Sequence, residues 1–449
     1  MIGLKEELAA REAAGNRIRI GLVGAGQMGT DVVAQVKMMK GIDVVAVADI
    51  DLRRAGEAYR IGALKGEVVE ASTAQKADRA VSHGKRVVSQ DYRVVTDMAQ
   101  LDVVLEATGV PEIGARAALR SACSQHPIAM MNVETDITVG PILNWYAKKK
   151  GVLYALAAGD EPAACKEVYD FADALGFTVV AAGKGKNNPL DRYAKPTDEA
   201  WAKEAARRGV SANMLIEFVD GSKTMIEMAA VSNATGLVPD VRGMHGPSTN
   251  RDELHRAFAL KEHGGVLNQI GVVDYAVGRV APGVFVIVTT SNPRLREALV
   301  LRDMGKGPYY TLFRPYHLCS IEVPLTCAIL AIWKKSSMAP LNRLVSEVFA
   351  VAKRDLHPGD VLDGIGGCTF YSSIDRYEIA KAERLLPVGL AKGVKVVRPV
   401  MRDSPITLDD VILHEASTVI SLRRLQDSWM SGEIHEDELL RTIDQLGAD

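Results

Sequence analysis

Residues 17–29 read RIRIGLVGAGQMG, an apolar run that leads directly into a Gly-x-Gly-x-x-Gly motif. A helical pattern follows over residues 30–39, and a second apolar run over residues 44–48 ends at Asp49. A strand, a glycine turn, a helix, a second strand and an acidic residue in this order form the fingerprint of a dinucleotide-binding fold. The alternative interpretation, a glycine-rich surface turn, does not account for the strands on either side.

The three glycines of the motif each meet a different physical requirement. Gly24 permits the tight turn, Gly26 lets backbone amides approach a pyrophosphate, and Gly29 lets the helix pack closely against the strand. Gln27 and Met28 lie where the first turn of the helix offers free N–H groups and a partial positive charge. We therefore expect this motif to bind the phosphates of a nucleotide.

Two further groups of residues are expected to contact the nucleotide. Asp49 is placed to bind a ribose 2′-hydroxyl, as in NAD enzymes, whereas Arg53 and Arg54 just beyond it suit a 2′-phosphate. Without such a phosphate, the two arginines are the solvated start of a helix. Thr108 and Gly109 follow another apolar run, so they are predicted to form a loop over the nicotinamide half of the crevice.

Composition restricts the class of protein. A chain of 449 residues is expected to form two or three domains. Its 54 basic and 56 acidic residues give a formal net charge of -2, which provides no reason to expect nucleic acid or a membrane as partner. The charged start lacks a signal-peptide core, and the 5 cysteines lack zinc spacing, so we expect a cytoplasmic protein with reduced thiols.

Polar side chains follow two later strand signals. An apolar run over residues 152–157 leads to Asp160 and Glu161, where the second domain is expected to begin. A strand predicted over residues 177–182 is followed by a glycine-containing loop, which suits either a phosphate group or a solvated turn. The candidate anion-binding residues of this loop are Lys184, Lys186, Asn187 and Asn188.

The next segment is predicted to be helical over residues 211–234, with a break near Gly221. Glu227 lies on its methionine-rich apolar face, as either a site carboxylate or a paired structural acid. A glycine- and proline-rich loop over residues 236–248 contains Arg242, His245 and Ser248. A loop of this length with polar side chains is a lid candidate.

The remaining sequence predicts a second sheet and a small β module. Strand signals over 272–277, 284–290 and 309–313 indicate a mixed or antiparallel sheet. Glu322 stands at the first turn of an apolar helix, where the helix dipole stabilises a carboxylate. From residue 339 onward, short strands with Pro and Gly turns are typical of a compact β module, and residues 418–446 read as helical.

Several motifs resemble those of known families. The VGAGQMG and EATG motifs, at residues 23–29 and 106–109, are similar to those of homoserine-dehydrogenase-like NAD(P)-dependent oxidoreductases. The C-terminal part resembles a SAF (β-clip) domain through RDLHPGDVL, LLPVGL and ITLDDV, at residues 354–362, 385–390 and 406–411. Together with AGDEP and AGKGKNNP, at residues 158–162 and 182–189, the chain resembles the DXR-like proteins, an alternative class of 1-deoxy-D-xylulose 5-phosphate reductoisomerase.

This resemblance implies an α/β protein with three domains. A Rossmann domain with a doubly wound sheet would span residues 1–158, and an α+β substrate-binding, catalytic and dimerisation domain would span residues 159–338. A SAF-like module would span residues 339–449. A homodimer is the default expectation.

The resemblance also implies a reaction and its participants. NADPH and a divalent cation, Mg²⁺ or Mn²⁺, would convert a small phosphorylated sugar to 2-C-methyl-D-erythritol 4-phosphate, in isoprenoid biosynthesis. The implied metal ligands are Asp160, Glu161 and Glu322, and the implied catalytic residues are Asp160, Lys184 and Glu322. The substrate phosphate would be held by Lys184, Lys186, Asn187, Asn188, Arg242 and Ser248.

Two other functions remain open. The same scaffold suits a homoserine-dehydrogenase-like oxidoreductase acting on another small hydroxy or amino acid. The lysine that homoserine dehydrogenases place after the strand ending near Glu134 is absent here, and so is the metal-ligand arrangement of conventional reductoisomerases. A nucleotide-sensing or assembly protein without turnover is the third possibility.

Overall fold

The computed structural model describes residues 3–187, 189–414 and 416–448, and their contacts define two compact units. The first unit contains the chain up to Asp160, residues 318–342 and the residues from 416 onward. The second unit contains residues 161–317 and 343–414. The predicted domain boundaries at 158/159 and 338/339 stay a prediction, because compactness does not show which segments fold independently.

The first 160 residues alternate helices and strands. The helices are α1 (Leu4–Ala13), α2 (Gln27–Lys37), α3 (Leu52–Ile61), α4 (Ala74–Ser82), α5 (Tyr92–Thr96), α6 (Pro111–Cys123) and α7 (Val133–Lys149). The strands are β1 (Ile18–Val23), β2 (Ile42–Ala48), β3 (Val68–Glu70), β4 (Arg86–Ser89), β5 (Val103–Glu106), β6 (Ile128–Met130) and β7 (Tyr154–Leu156).

These strands form a seven-stranded parallel sheet in the order β3-β4-β2-β1-β5-β6-β7. The predicted doubly wound α/β fold is therefore confirmed. Chain order reverses direction at β1, where Val23 pairs with Ala48 of β2 on one side and Glu106 of β5 on the other. The carboxyl ends of these three strands lie at one edge, which is the usual ligand-binding edge of such sheets.

Residues 161–317 form the main sheet of the second unit. The helices are α8 (Glu161–Ala174), α9 (Glu199–Arg208), α10 (Ala212–Val219), α11 (Ser222–Thr235), α12 (Leu254–Ala257) and α13 (Pro293–Val300). The strands are β8 (Thr178–Lys186), β9 (Val238–Pro239), β10 (Val272–Val277), β11 (Val284–Thr289) and β12 (Tyr310–Arg314). Strand β8 is central, parallel to β10 and antiparallel to β11, so the predicted mixed sheet is confirmed.

The rest of the chain returns twice to the first unit and once to the second. Helix α14 (Val323–Ile332) packs its apolar face on the core of the first unit. The second unit continues with β13 (Ser346–Ala352), β14 (Phe370–Arg376), α15 (Tyr377–Ala382), α16 (Val388–Ala391), β15 (Lys395–Val396) and β16 (Val411–Ile412). The first unit ends with α17 (Thr418–Met430) and α18 (Glu436–Ala448).

Two predicted strand assignments are wrong. Strand β8 does not end at Ala182 but continues to Lys186. Its glycines mark close packing rather than a loop, because a Cβ at Gly183 would overlap the carbonyl oxygen of Asp274. Within the C-terminal region predicted to form short strands, residues 388–391 form helix α16 instead, and the ring of Pro387 before it removes an N–H from any ladder and favours a helical φ.

Candidate functional site

The glycine motif of the first unit forms an open cradle at the end of β1. Gly24 has a φ of 101°, and a Cβ there would lie 2.8 Å from the carbonyl carbon of Ala107. A Cβ at Gly29 would overlap the carbonyl oxygen of Gly24, whereas a Cβ at Gly26 would have no atom within 4 Å. The first and third glycines are therefore required by packing, and the second leaves room for a ligand.

The start of α2 is suited to a pyrophosphate. Gly26 is the N-cap residue, and no side chain bonds to the first amides of the helix. Uncapped amides at a helix N-terminus bind anions through N–H groups and the helix dipole. The residues present thus fit the phosphates of a dinucleotide.

Asp49 supports the cradle from the end of β2. Its Oδ2 accepts a hydrogen bond from the amide of Ala25 at 2.8 Å, and its Oδ1 accepts one from the amide of Asp51 at 2.9 Å. Arg53 bonds to the carboxylate of Asp51 at 3.0 Å, while Arg54 is exposed at the start of α3. Of the two predicted 2′-phosphate ligands, Arg53 thus has a carboxylate partner next to it.

Glu106 lies at the end of β5, immediately before the predicted nicotinamide loop. Its side chain is fully buried, and burial raises the pKa of the carboxyl group to about 7. It accepts hydrogen bonds from the amide of Thr108 at 2.9 Å and from the Thr108 hydroxyl. Gly109 has a φ of 66° and open space around it. The sequence analysis named Glu106 within the EATG motif but assigned it no role, although an acid among small residues at a strand end was a usable signal.

The second unit holds a buried cluster of charged side chains around Lys184. The ammonium group of Lys184 donates to Glu161 at 2.7 Å and to Glu227, and only 3% of this lysine is exposed. Burial by itself lowers the pKa of Lys184, but the charges of Glu161 and Glu227 outweigh burial and raise it. The strand β8 and the helices α8 and α11 therefore favour the protonated form of Lys184.

His317 extends this cluster. Its Nε2 lies 3.4 Å from Oε2 of Glu161, and its Nδ1 lies 2.8 Å from the carbonyl oxygen of Pro282. A carbonyl only accepts, so Nδ1 carries the proton in that contact. The His317 side chain is 13% exposed, more than its partner. The sequence left Glu227 open as a site carboxylate or a paired structural acid, and it did not single out His317, which comes from a segment far away in the chain.

The predicted lysine–asparagine loop is divided by the longer β8. Lys186 is buried and its Nζ donates to the carbonyl of Phe218 at 2.7 Å. Burial, together with the charge of Lys184, lowers the pKa of Lys186 to about 8. Asn187 is exposed beyond the strand, and Asn188 lies outside the described residues. The two lysines have protein partners in this structure, and their assignment to a phosphate stays a prediction.

Asn187 and Ser248, both predicted to hold a phosphate, line one pocket of about 570 Å³ in the second unit. Its other lining residues are Thr249, Asn250, Gly278, Arg279 and Ala281. The lining contains amide and hydroxyl groups and one guanidinium, but no carboxylate. Such a set favours an anionic group. Sequence reasoning did not identify Arg279, which follows β10.

Arg242 has two carboxylate partners, and its assignment to a phosphate stays a prediction. Its guanidinium bonds to Asp375 and to Glu383, each at 2.7 Å. The loop predicted as a lid is also tied down, because Asp274 accepts the amides of His245 at 3.1 Å and Gly246 at 2.9 Å. The structure thus connects this loop to β10 and to the C-terminal part of the second unit.

The predicted metal ligands are divided between the units. Asp160 is the last residue of the first segment of the first unit, and Glu322, also in that unit, accepts the amide of Leu318 at 3.0 Å. Glu161 belongs to the second unit. Within that unit the ammonium of Lys184 bonds to both Glu161 and Glu227, and the assignment of Glu161 to a metal stays a prediction.

Comparison with known proteins gives one family match. Residues 159–323, less than half of the chain, match the model described as oxidoreductase DRL, catalytic domain. No curated protein sequence matches the chain significantly. The matched region contains Glu161, Lys184, Glu227 and His317, and the dinucleotide fold precedes it. Fold and match together define the class of this protein as an oxidoreductase, and therefore an enzyme.

Solved structures add weak similarities. An oxidoreductase from Thermotoga maritima is 10% identical, with a TM-score of 0.38 over 73% of this chain and 91% of that chain. Myo-inositol dehydrogenase from Lactobacillus casei, in complex with NAD(H) and myo-inositol, is 14% identical, with a TM-score of 0.30 over 68% of each chain. DOX-P reductoisomerase with fosmidomycin and magnesium is 13% identical, with a TM-score of 0.36 over 70% of this chain and 79% of that chain. TM-scores below 0.5 do not establish a common fold for whole chains.

None of the helices in the described part of the chain combines the length and the apolar composition that a membrane span requires.

Proposed function

We propose that the chain is a nicotinamide-dependent oxidoreductase that acts on a small hydroxy compound carrying an anionic group. The observation that supports this most directly is the position of Lys184 on β8. The strand holds this lysine between two carboxylates and leads, three residues later, to the polar pocket lined by Asn187. Three residues of extended chain span about 10 Å, the length of a small phosphorylated or carboxylated substrate.

The nucleotide belongs to the cradle of the first unit, where it supplies or accepts the hydride. For its identity we propose NADPH. Arg54 is exposed beside the cradle, where a guanidinium suits a 2′-phosphate. Both carboxylate oxygens of Asp49 already accept backbone amides, which leaves them less available to a ribose hydroxyl.

We assign to Lys184 the role of binding and protonating the oxygen of the substrate that is reduced. An ammonium has three N–H donors, and Glu161 and Glu227 accept two of them. The third N–H stabilises negative charge on the oxygen and delivers the proton there when hydride adds to the carbon. Glu161 and His317 then form the route by which the lysine regains its proton, since His317 is the more exposed end of the cluster.

Replacing Lys184 tests this assignment. Lys184→Met is expected to lower kcat by about 10²–10⁴-fold, the usual contribution of a positioned proton donor. Binding of the nucleotide, measured by fluorescence titration, is expected to remain unchanged because the cradle belongs to the other unit. Lys203→Met, at an exposed lysine of the second unit, is the matched control. Full activity of Lys184→Met would remove this residue from the mechanism.

A second candidate is the conversion of 1-deoxy-D-xylulose 5-phosphate to 2-C-methyl-D-erythritol 4-phosphate. The family match over residues 159–323 and the guanidinium of Arg279 in the polar pocket favour it. Two assays separate the candidates: NADPH consumption with this sugar phosphate, with Mg²⁺ and with a chelator, and reduction of NADP⁺ or NAD⁺ with homoserine in parallel. Turnover of homoserine or another hydroxy acid without turnover of the sugar phosphate would reject the reductoisomerase and retain the broader proposal.

A further inference from the structure

We propose that the C-terminal module of the second unit, residues 343–414, positions the substrate loop, which we define as residues 189–195. Lys353 and Asp403 are its positioning residues. The loop begins just beyond Asn187 of the polar pocket, so this inference rests on the proposed function of that pocket. It assigns the module a role in substrate binding.

Lys353 of the module forms a fully buried junction. Its ammonium donates to the carbonyl of Ala194 at 2.9 Å, to Oδ2 of Asp220 at 2.9 Å and to the carbonyl of Gly367 at 2.8 Å. All three N–H groups of the ammonium therefore have an acceptor. The side chains of Lys353 and Asp220 are both 0% exposed. One cation thus joins the substrate loop, the turn before α11 and the module.

A second set of contacts holds the same loop at the surface. The hydroxyl of Tyr193 donates to Oδ2 of Asp403 at 2.8 Å, and the guanidinium of Arg402 lies 3.7 Å from the centre of the Tyr193 ring. Tyr371 of β14 donates to the other oxygen of Asp403 at 3.2 Å. Asp403 therefore links the loop to the sheet of the module.

The opposite side of the loop is fixed to α10. The amide of Asp191 donates to the carbonyl of Val219 at 3.0 Å, and a Cβ at Gly221 would overlap the side chain of Leu190. The loop thus packs between α10 and the module. Weakening only the module side should loosen the loop without changing β8.

The test uses the full chain with mild surface variants. Tyr193→Phe removes one hydroxyl bond to a carboxylate, and Asp403→Ala removes the acceptor. Arg384→Ala, which breaks an exposed ion pair with Asp409 elsewhere in the module, is the matched control. Hydrogen exchange of peptides covering the substrate loop is measured together with binding of inorganic phosphate. Lys353→Met/Asp220→Asn, which removes both buried charges, tests the inner junction if it folds.

Loss of a bond to a charged acceptor predicts roughly tenfold faster exchange in the loop for Tyr193→Phe and Asp403→Ala. Hydrogen exchange in β8 is expected to stay unchanged in these variants, and exchange in the substrate loop is expected to stay unchanged in the control Arg384→Ala. Phosphate binding weakens in the same two variants, and with a turned-over substrate KM rises while kcat is retained. Unchanged exchange in the loop would overturn the inference. Faster exchange without any phosphate binding, even by the wild type, would reject the proposed pocket and leave the positioning of the loop intact.

Discussion

Gly26 and Gly29 differ in what a methyl group at each position would meet. At Gly29 it would overlap the carbonyl of Gly24, whereas at Gly26 it would meet no atom within 4 Å. Gly26 also has a φ of -69°, which any residue adopts. One position therefore serves the fold of the cradle, and the other serves its ligand.

This difference gives a paired prediction. Gly26→Ala is expected to leave Tm unchanged and to weaken nucleotide binding at least about tenfold, because its methyl group takes the place of the pyrophosphate. Gly29→Ala is expected to lower the free energy of unfolding by about 1–3 kcal/mol through overpacking. Calorimetry and a nucleotide titration measure both effects. Tight binding by Gly26→Ala would show that the phosphates lie elsewhere.

Glu106 gives a pH-dependent prediction. Its pKa of about 7 in the folded state exceeds the ordinary value of 4.5. The folded state therefore holds the proton more tightly, and this contribution to stability is complete below pH 4.5 and lost as the pH rises through about 7. The free energy of unfolding is expected to fall by about 3 kcal/mol over this interval of pH.

Glu106→Gln is the reference for this measurement, since its amide oxygen still accepts the bond from Thr108. Denaturant unfolding from acidic to mildly alkaline pH gives the difference in free energy between the two proteins. We expect the wild type to lose stability relative to the variant over this interval and to reach a plateau above it. A difference that does not change with pH would show that Glu106 is ionised throughout.

Among the helices and strands, β8 carries the most consequential contacts. It places Lys184 between α8 and α11, and it was predicted to end two residues before that lysine. Glycines predict loops when only the chain itself is considered. In the folded sheet, Gly183 and Gly185 of β8 lie where β10 and the segment at Ala281 approach β8 too closely for a side chain.

Helix α17 gives a prediction at the same scale. Glu112 of α6 accepts the hydroxyl of Ser417 at 2.7 Å and the amides of Thr418 at 2.9 Å and Val419 at 3.0 Å. A carboxylate at a helix N-terminus satisfies free amides and complements the dipole. Glu112→Gln is expected to destabilise the docking of α17 by about 1 kcal/mol.

Hydrogen exchange of α17 measures this effect directly. Glu57→Gln, at an exposed i,i+3 pair of α3, is the matched control and is expected to change little. If α17 exchanges as slowly in Glu112→Gln as in the wild type, then the packing of α17 on α7 is sufficient to hold this helix.

At the scale of the whole molecule, each unit is built from segments distant in sequence. The first unit contains α14, α17 and α18 in addition to its parallel sheet, and the second unit contains the C-terminal module. A division by sequence order alone would separate Lys353 from the loop it holds. The module returns to the second unit late in the chain and packs there against the substrate loop. This return explains why Lys353, a buried partner of the loop, comes from the module.

The sequence by itself determined the dinucleotide fold, because its motif is local: strand, glycine turn, helix and acid lie within about 35 consecutive residues. It also identified Lys184, Glu161 and Asn187 as polar residues near strand ends, and Ser248 in a polar loop. It left the role of Glu227 open, and it did not identify His317, Arg279 or Lys353.

Only the tertiary structure decided which of these side chains meet. Lys184 and Glu227 bond although 43 positions separate them, and Lys353 bonds to Ala194 across 159 positions. Contacts at such separations depend on how the second sheet and its helices pack, and no local periodicity encodes them. The same packing pairs Arg242 with Asp375, because a buried carboxylate without a cation beside it is strongly destabilising.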